Sequence, residues 1–131
     1  MAATLFQPGS RAGATDFRSD LDFSTEQVAE LLELTLVVKQ SRQRFATALK
    51  GRSIALLFEK PSLRTRMTFE LAIKQLGGDA VAQIGAIGDR EPLKDIARNV
   101  ERWTDAIVAR TFSQHTVDDL AEWFIKEDPS W

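Results

Sequence analysis

The chain of 131 residues contains no cysteine, no tyrosine and only one histidine. The lack of cysteine excludes disulfide bonds, thiolate metal sites and a cysteine nucleophile, and it is compatible with a reducing compartment. No apolar run approaches the roughly 20 residues that a membrane-spanning helix needs. The N-terminal stretch has neither the continuous apolar segment of a secretory signal nor the arginine content of a transit peptide. We therefore expect a cytoplasmic protein with no membrane partner.

An excess of charge of one sign is also missing, because 17 basic residues stand against 19 acidic ones. A formal net charge of -2 gives no global electrostatic basis for binding nucleic acid. Any anion site must therefore depend on local clustering of arginine. The remaining composition, with 44% hydrophobic and 27% charged residues, is typical of one globular domain of this length.

Short apolar runs alternate with helical patterns along most of the chain. The apolar runs predict strands at 53–58, 80–84 and 105–110, and the unbroken apolar character of the first run is typical of a strand covered on both faces. Helical spacing predicts helices from a capping box at Ser24 to about Ala48, over 63–76, from Pro92 to 103, and from a cap at Thr116. This order predicts an α/β fold, a three-layer open parallel sheet of about three to four strands with helices on both faces.

Each predicted helix carries an apolar stripe that we expect to face the core. The segment before Ser24 has no such periodicity, so residues 1–23 are expected to form a loose leader or a segment pinned only near its end, 24–125 the domain and 126–131 a tail. The stripe residues are Val28, Leu31, Leu32, Thr35, Val38, Phe45 and Leu49, then Phe69, Ala72, Ile73 and Leu76, then Leu93, Ile96, Ala97, Val100 and Trp103, and finally Val117, Leu120, Ala121 and Phe124.

The junction between the first predicted strand and the next helix carries the strongest chemical signal. The first N–H groups of a helix lack partners and its positive dipole end favours an anion. Ser62 is the predicted N-cap, Arg64 and Arg66 bring forks of donors that match phosphate oxygens, and Thr65 adds a hydroxyl. The alternative is that both arginines are solvated first-turn charges, but cations at this end of a helix oppose its dipole unless an anion lies nearby. The pattern predicts a site for a phosphorylated small molecule.

Arg110 ends the third predicted strand. The carboxyl ends of the strands in an open parallel sheet line the ligand crevice, so we expect Arg110 to face the same pocket as Ser62 to Arg66. This position makes it a stronger candidate than Arg98 or Arg102.

These residues resemble a known family. The segment Phe58 to Arg66, followed by Phe69 and Glu70, is similar to the carbamoyl phosphate loop of the transcarbamoylases, and its Glu-Lys-Pro start is closer to the ornithine than to the aspartate branch. Two later segments, 91–98 and 105–112, also resemble ornithine carbamoyltransferases. The similarity runs from about Ser24 to Ala121.

The resemblance implies the carbamoyl phosphate-binding domain of an ornithine carbamoyltransferase, an enzyme of arginine metabolism that forms citrulline and phosphate. It implies that Arg64 and Arg110 are catalytic, and that no metal or cofactor takes part. Gln83 and Arg90 are further candidates, because the family's corresponding loop supplies a polar residue to a neighbouring subunit. The family suggests a homotrimer. The residues expected to bind carbamoyl phosphate are Ser62, Leu63, Arg64, Thr65, Arg66 and Arg110.

Three departures from the family pattern leave alternatives open. Leu63 replaces the family's threonine, the segment between Gly78 and Glu91 is about three residues short, and neither the His-Pro-Cys-Gln-like motif nor the ornithine-binding domain follows Ala121. His115 is outside that motif and is expected to be an exposed turn residue. The chain could be a truncated phosphate-binding half with weak activity at best, a non-catalytic anion-binding or subunit-interaction module, or part of an enzyme completed by a second chain. An aspartate carbamoyltransferase is a narrower rival, because the missing domain selects the amine.

Overall fold

Three parallel strands position the rest of the molecule. The computed structural model describes residues 16–125, so residues 1–15 of the predicted leader and the predicted tail 126–131 lie outside the described residues. The strands are β1 (Ser53–Phe58), β2 (Asp79–Ile84) and β3 (Ala106–Arg110), in the spatial order β2-β1-β3. The helices are α1 (Thr25–Gln40), α2 (Leu63–Gln75), α3 (Leu93–Trp103) and α4 (Gln114–Trp123), with short 3-10 turns at Asp20–Asp22 and Arg42–Phe45.

Side chains of β1 alternate between two cores, because successive residues of a strand point to opposite faces of the sheet. One core lies between the sheet and α3 with α4, and the other between the sheet and α2. The predicted α/β fold, with an open parallel sheet of three strands between helical layers, is therefore confirmed. The first core contains Ala55, Leu57, Ile87, Ala97 and Leu120, and the second contains Ile54, Leu56, Phe58 and Ile73.

The first helix is shorter than predicted, because α1 ends at Gln40 and not near Ala48. Its predicted capping box is present, with Ser24 Oγ accepting from Gln27 N at 3.2 Å and Gln27 Oε1 accepting from Ser24 N at 2.8 Å. The polar run that follows offers no apolar side chain to extend the packing. No residue of α1 is buried, so the predicted core-facing stripe is wrong for this helix within the described chain.

Outside α1, three side chains that were predicted to face the core are exposed, namely Phe69 and Ala72 of α2 and Trp103 of α3. Phe69 and Trp103 retain 38% and 73% of their accessible surface, because each lies at the margin of a stripe whose central residues fill the core. Gly77 ends α2 at a φ of 86°, which is the predicted left-handed stop.

The start of α4 also differs from the prediction. Ser113 and not Thr116 is its N-cap, and Ser113 Oγ accepts from His115 N at 3.1 Å. His115 is exposed as predicted, but it lies in the first helical turn with its Nε2 3.5 Å from Asp119 Oδ2. Pro92 similarly occupies the N-cap position of α3 and not its first turn.

The last residues of the predicted leader form a turn beside α4. Asp22 Oδ2 accepts from the backbone N–H groups of Arg18 and Ser19 at 2.7 and 2.9 Å, and these donors hold the pKa of the Asp22 carboxyl below its ordinary value. Gln114 Nε2 donates to the carbonyl oxygen of Arg18 at 3.1 Å. None of the helices between residues 16 and 125 is long and apolar enough to cross a membrane.

Candidate functional site

The carboxyl ends of the three strands lie in one row, with Phe58 paired to Ile84 on one side and to Arg110 on the other. From β1 the chain passes through α2 to β2, which pairs with one edge of β1. The next strand, β3, pairs with the opposite edge of β1. The order therefore reverses between β1 and β3. In open α/β sheets this switch point is the place where a crevice forms and ligands bind.

The segment after β1 enters α2 at this point. Ser62 occupies the predicted N-cap position, but its hydroxyl makes no capping hydrogen bond. The first intrahelical bond runs from Arg66 N to Ser62 O at 3.0 Å, so the N–H groups of residues 63–65 precede it. Those donors, together with the positive end of the helix dipole, suit an anion.

Arg110 lies beside this helix start. Its Nη1 donates to Thr65 Oγ1 at 2.9 Å, across a sequence separation of 45 residues. The strand end and the helix start therefore lie side by side at the switch point, and the Arg110 guanidinium between them is exposed.

The two arginines of the loop lie in different surroundings. Arg64 is exposed, and its guanidinium forms no hydrogen bond or ion pair within residues 16–125. Arg66 is half-buried, with its Nε 3.9 Å from Glu70 Oε1 on the next turn of α2. That nitrogen is buried and has no hydrogen-bond partner among the described residues. Arg64 is thus open to a ligand, whereas part of Arg66 faces its own helix.

Gln83 and Arg90 occupy exposed positions on β2 and after it. Gln83 is exposed near the end of β2, opposite Leu57, and Arg90 is exposed between β2 and α3. Neither side chain bonds to Arg110 or to the segment 59–66 in the part of the chain that the structure describes. The side chain of Leu63 is also exposed at the helix start.

Sequence reasoning missed the contribution of Glu59. Its carboxylate Oε2 accepts from Phe112 N at 2.9 Å, and its own N–H donates to Arg110 O at 2.9 Å. Lys60 places its Nζ 4.9 Å from the centroid of the Phe112 ring. Only the family motif singled out Glu59, and no local pattern pointed to a partner 53 residues away.

The chemistry available in this crevice is that of cations and N–H donors. Arg64 and Arg110 carry fixed positive charge, and the helix start adds backbone donors. Among residues 16–125 no group of three or more His, Cys, Asp or Glu side chains could hold a metal ion. The arrangement can bind an anion and stabilise negative charge that develops on it.

The fold is a parallel α/β domain that places arginine side chains and backbone N–H donors at its switch point. Residues 15–127 match the family described as aspartate/ornithine carbamoyltransferase, carbamoyl-P binding domain, and the chain belongs to this family. The family predicted from the loop motif is confirmed.

Individual relatives indicate the ornithine branch of the family. The ornithine carbamoyltransferases of Vibrio sp. (strain 2693) and Moritella profunda are 51% and 50% identical over 104 residues, which is 77% of this chain and 35% of each relative. The crystal structure of the Thermus thermophilus enzyme aligns with a TM-score of 0.74 at 43% identity, over 82% of this chain and 38% of that one. The Pyrococcus furiosus enzyme gives a TM-score of 0.78 at 33% identity, over 82% and 36%. The chain is thus similar to the carbamoyl phosphate-binding domain of ornithine carbamoyltransferases, and it spans about a third of the length of the curated relatives it matches.

Proposed function

We propose that this chain binds carbamoyl phosphate in the crevice between β1 and β3, as the phosphate-binding part of an ornithine carbamoyltransferase. The observation that carries the proposal is the hydrogen bond from Arg110 to Thr65, because it joins the two segments that would hold the two ends of the ligand. The N–H groups of residues 63–65, the hydroxyl of Ser62 and the exposed guanidinium of Arg64 bind the phosphate oxygens. Arg66 contributes through its terminal nitrogens, since its Nε lies near Glu70.

In the proposed reaction the side-chain amine of ornithine attacks the carbamoyl carbon, and negative charge develops on the carbonyl oxygen. The carbon–oxygen bond to phosphate then breaks, and the proton that the amine loses passes to the departing phosphate, giving citrulline and phosphate. Arg64 and Arg110 stabilise the developing charge. Orientation of the reactants can supply roughly 7 to 11 kcal/mol of such a barrier, and this chain alone offers no assigned amine site. We therefore expect ligand binding but at most weak catalysis from the isolated chain.

Contacts between copies belong to the same proposal. Leu63, Met67 and Leu71 recur every four residues on α2, and each is exposed. Such an apolar stripe favours association of the domain with further subunits. We propose a cytoplasmic homo-oligomer, trimeric as the family resemblance suggests, in which Gln83 and Arg90 serve a neighbouring copy's site. The same stripe favours the second candidate function, a non-catalytic subunit-interaction module derived from a transcarbamoylase.

Calorimetric titration of the full chain with carbamoyl phosphate and with inorganic phosphate tests the binding proposal. Loss of a charge-assisted hydrogen bond is worth about 1.5 to 3 kcal/mol, so Arg64→Ala and Arg110→Ala should each weaken binding by about 10- to 100-fold. Arg102→Ala is the matched control, because Arg102 is an exposed arginine on α3. It should leave the affinity unchanged.

Two results would contradict the proposal. A folded wild-type chain that binds neither anion would favour the interaction module. Equal losses in all three arginine variants would mean that overall positive charge, and not this crevice, attracts the ligand.

A further inference from the structure

Glu59 connects the two chain segments that form the candidate site. Its N–H donates to the carbonyl oxygen of Arg110, and its carboxylate accepts from the N–H of Phe112, both at 2.9 Å. The two bonds hold the backbone on either side of Thr111. The direction in which the chain leaves β3 is therefore set from the end of β1.

This backbone direction determines where the Arg110 guanidinium arrives. Arg110 Nη1 reaches Thr65 Oγ1 at 2.9 Å, on the opposite side of the crevice from its own strand. Glu59, the exit of β3 and the start of α2 thus form a closed ring of contacts. A small rotation of the backbone at residue 110 would be carried along the whole arginine side chain, and misplacement by about 1 Å is costly in a site that depends on orientation.

The charge of Glu59 has the wrong sign for direct contact with the ligand. A carboxylate three residues before Ser62 repels an anion held at the helix start. Any benefit of Glu59 to anion binding must therefore come from its hydrogen bonds and from the length of its side chain.

We propose that Glu59 is a positioning residue, which holds the exit of β3 so that Arg110 meets Thr65 and the bound anion in one place. This inference rests on the proposed binding of carbamoyl phosphate. It requires an acceptor oxygen at the length of a glutamate side chain, and it does not require the negative charge.

The other end of the same strand pair supplies a matched control. Asp105 Oδ2 accepts from Ser53 N at 2.8 Å, and Asp105 N donates to Ser53 O at 2.7 Å. A carboxylate therefore links β1 to β3 at this end as well. The two links, at Ser53 and Glu59, are about 20 Å apart along the strand at about 3.3 Å per residue.

The experiment compares Glu59→Gln, Glu59→Asp, Glu59→Ala and Asp105→Ala in the full chain. Affinity for carbamoyl phosphate and inorganic phosphate is measured by calorimetry, and urea unfolding gives the stability of each variant. Glu59→Gln keeps the acceptor and the length, so it should bind at least as tightly as wild type. Glu59→Asp and Glu59→Ala should bind about tenfold more weakly. Asp105→Ala should lower stability but keep the affinity within about twofold.

Each contrary result has a distinct meaning. If wild type binds and Glu59→Ala binds equally well, the role of Glu59 is overturned while the proposed function stands. If Glu59→Asp retains affinity and Glu59→Gln loses it, charge and not position matters, which also overturns the inference. An equal loss in Asp105→Ala would reduce Glu59 to general support of the fold. If wild type binds neither anion, the proposed function fails and the inference falls with it. Should Glu59→Ala not fold, the comparison of the Gln and Asp variants decides.

Discussion

Two glycines show how backbone conformation constrains single positions. Gly51 and Gly77 both have positive φ, 76° and 86°, a region that other residues rarely adopt. They differ in their surroundings. A Cβ at position 51 would meet nothing within 4 Å, whereas one at position 77 would lie 2.6 Å from the backbone oxygen of Ala46. The first position demands only a conformation, and the second demands the absence of a side chain as well.

This difference predicts unequal costs for the same substitution. Gly51→Ala should lower the free energy of unfolding by roughly 1 to 2 kcal/mol, which is the usual cost of a left-handed conformation. Gly77→Ala should cost at least about 2 kcal/mol more, because backbone must move to relieve the clash. Urea unfolding of the two variants measures both values, and equal losses would contradict the steric argument.

Residue types predicted part of the candidate site but not all of its contacts. Ser62 to Arg66 and Arg110 could be found because their chemistry and their positions at a helix start and a strand end are visible in sequence. The link from Glu59 to Phe112 could not, because it joins residues 53 apart and depends on which strands are neighbours. The missing Ser62 capping bond was equally invisible, since it depends on the φ and ψ of the N-cap residue.

The helix α1 differs from the other elements in how little of it is covered. Its 16 residues include no buried side chain, and Leu32 and Leu36 are 63% and 59% exposed. An isolated helix of this length is marginal in water, because most helical stability in proteins comes from packing of the apolar face. Its periodicity predicted a stripe that faces the core, and that prediction was wrong because no other described element buries the stripe. The strands were predicted better, since β1 is covered on both faces by this chain itself.

We expect α1 to open more readily than the sheet. The protection factors of amide protons in the middle of α1 should be at least about 100-fold lower than those of Leu56 and Leu57 in β1. Hydrogen exchange followed by nuclear magnetic resonance measures the ratio. Equal protection of α1 and β1 would mean that α1 is packed in solution, for instance against another copy of the chain.

At the scale of the whole molecule, the chain spans about a third of the relatives it matches. The strand order was not predictable from periodicity, yet it decides that β1 and β3 face one crevice. The family motif supplied the expectation that this crevice binds carbamoyl phosphate. None of the residues proposed to bind carbamoyl phosphate is proposed to bind the amine substrate.

The effect of ligands on stability should show whether the chain binds carbamoyl phosphate without binding the amine. Carbamoyl phosphate at 100 times its dissociation constant should raise the free energy of unfolding by about 2.7 kcal/mol. Ornithine or aspartate, added alone or with carbamoyl phosphate, should produce no further rise. Urea unfolding with and without each compound measures the effect, and at the same ligand concentration Arg110→Ala should reduce the rise to about 0.4 to 1.4 kcal/mol. A further rise with ornithine would show that the chain by itself holds an amine site.

The residue register of β1 determines both which side chains enter each core and how the candidate site after the strand is oriented. Inserting one residue into Ser53–Phe58 would send the side chains of each core to the opposite layer. The same insertion would turn Glu59 away from Phe112 and rotate the entry into α2. The number of residues in this strand is therefore constrained by two features. One is the pair of hydrophobic cores on its two faces, and the other is the hydrogen-bonded junction after its carboxyl end.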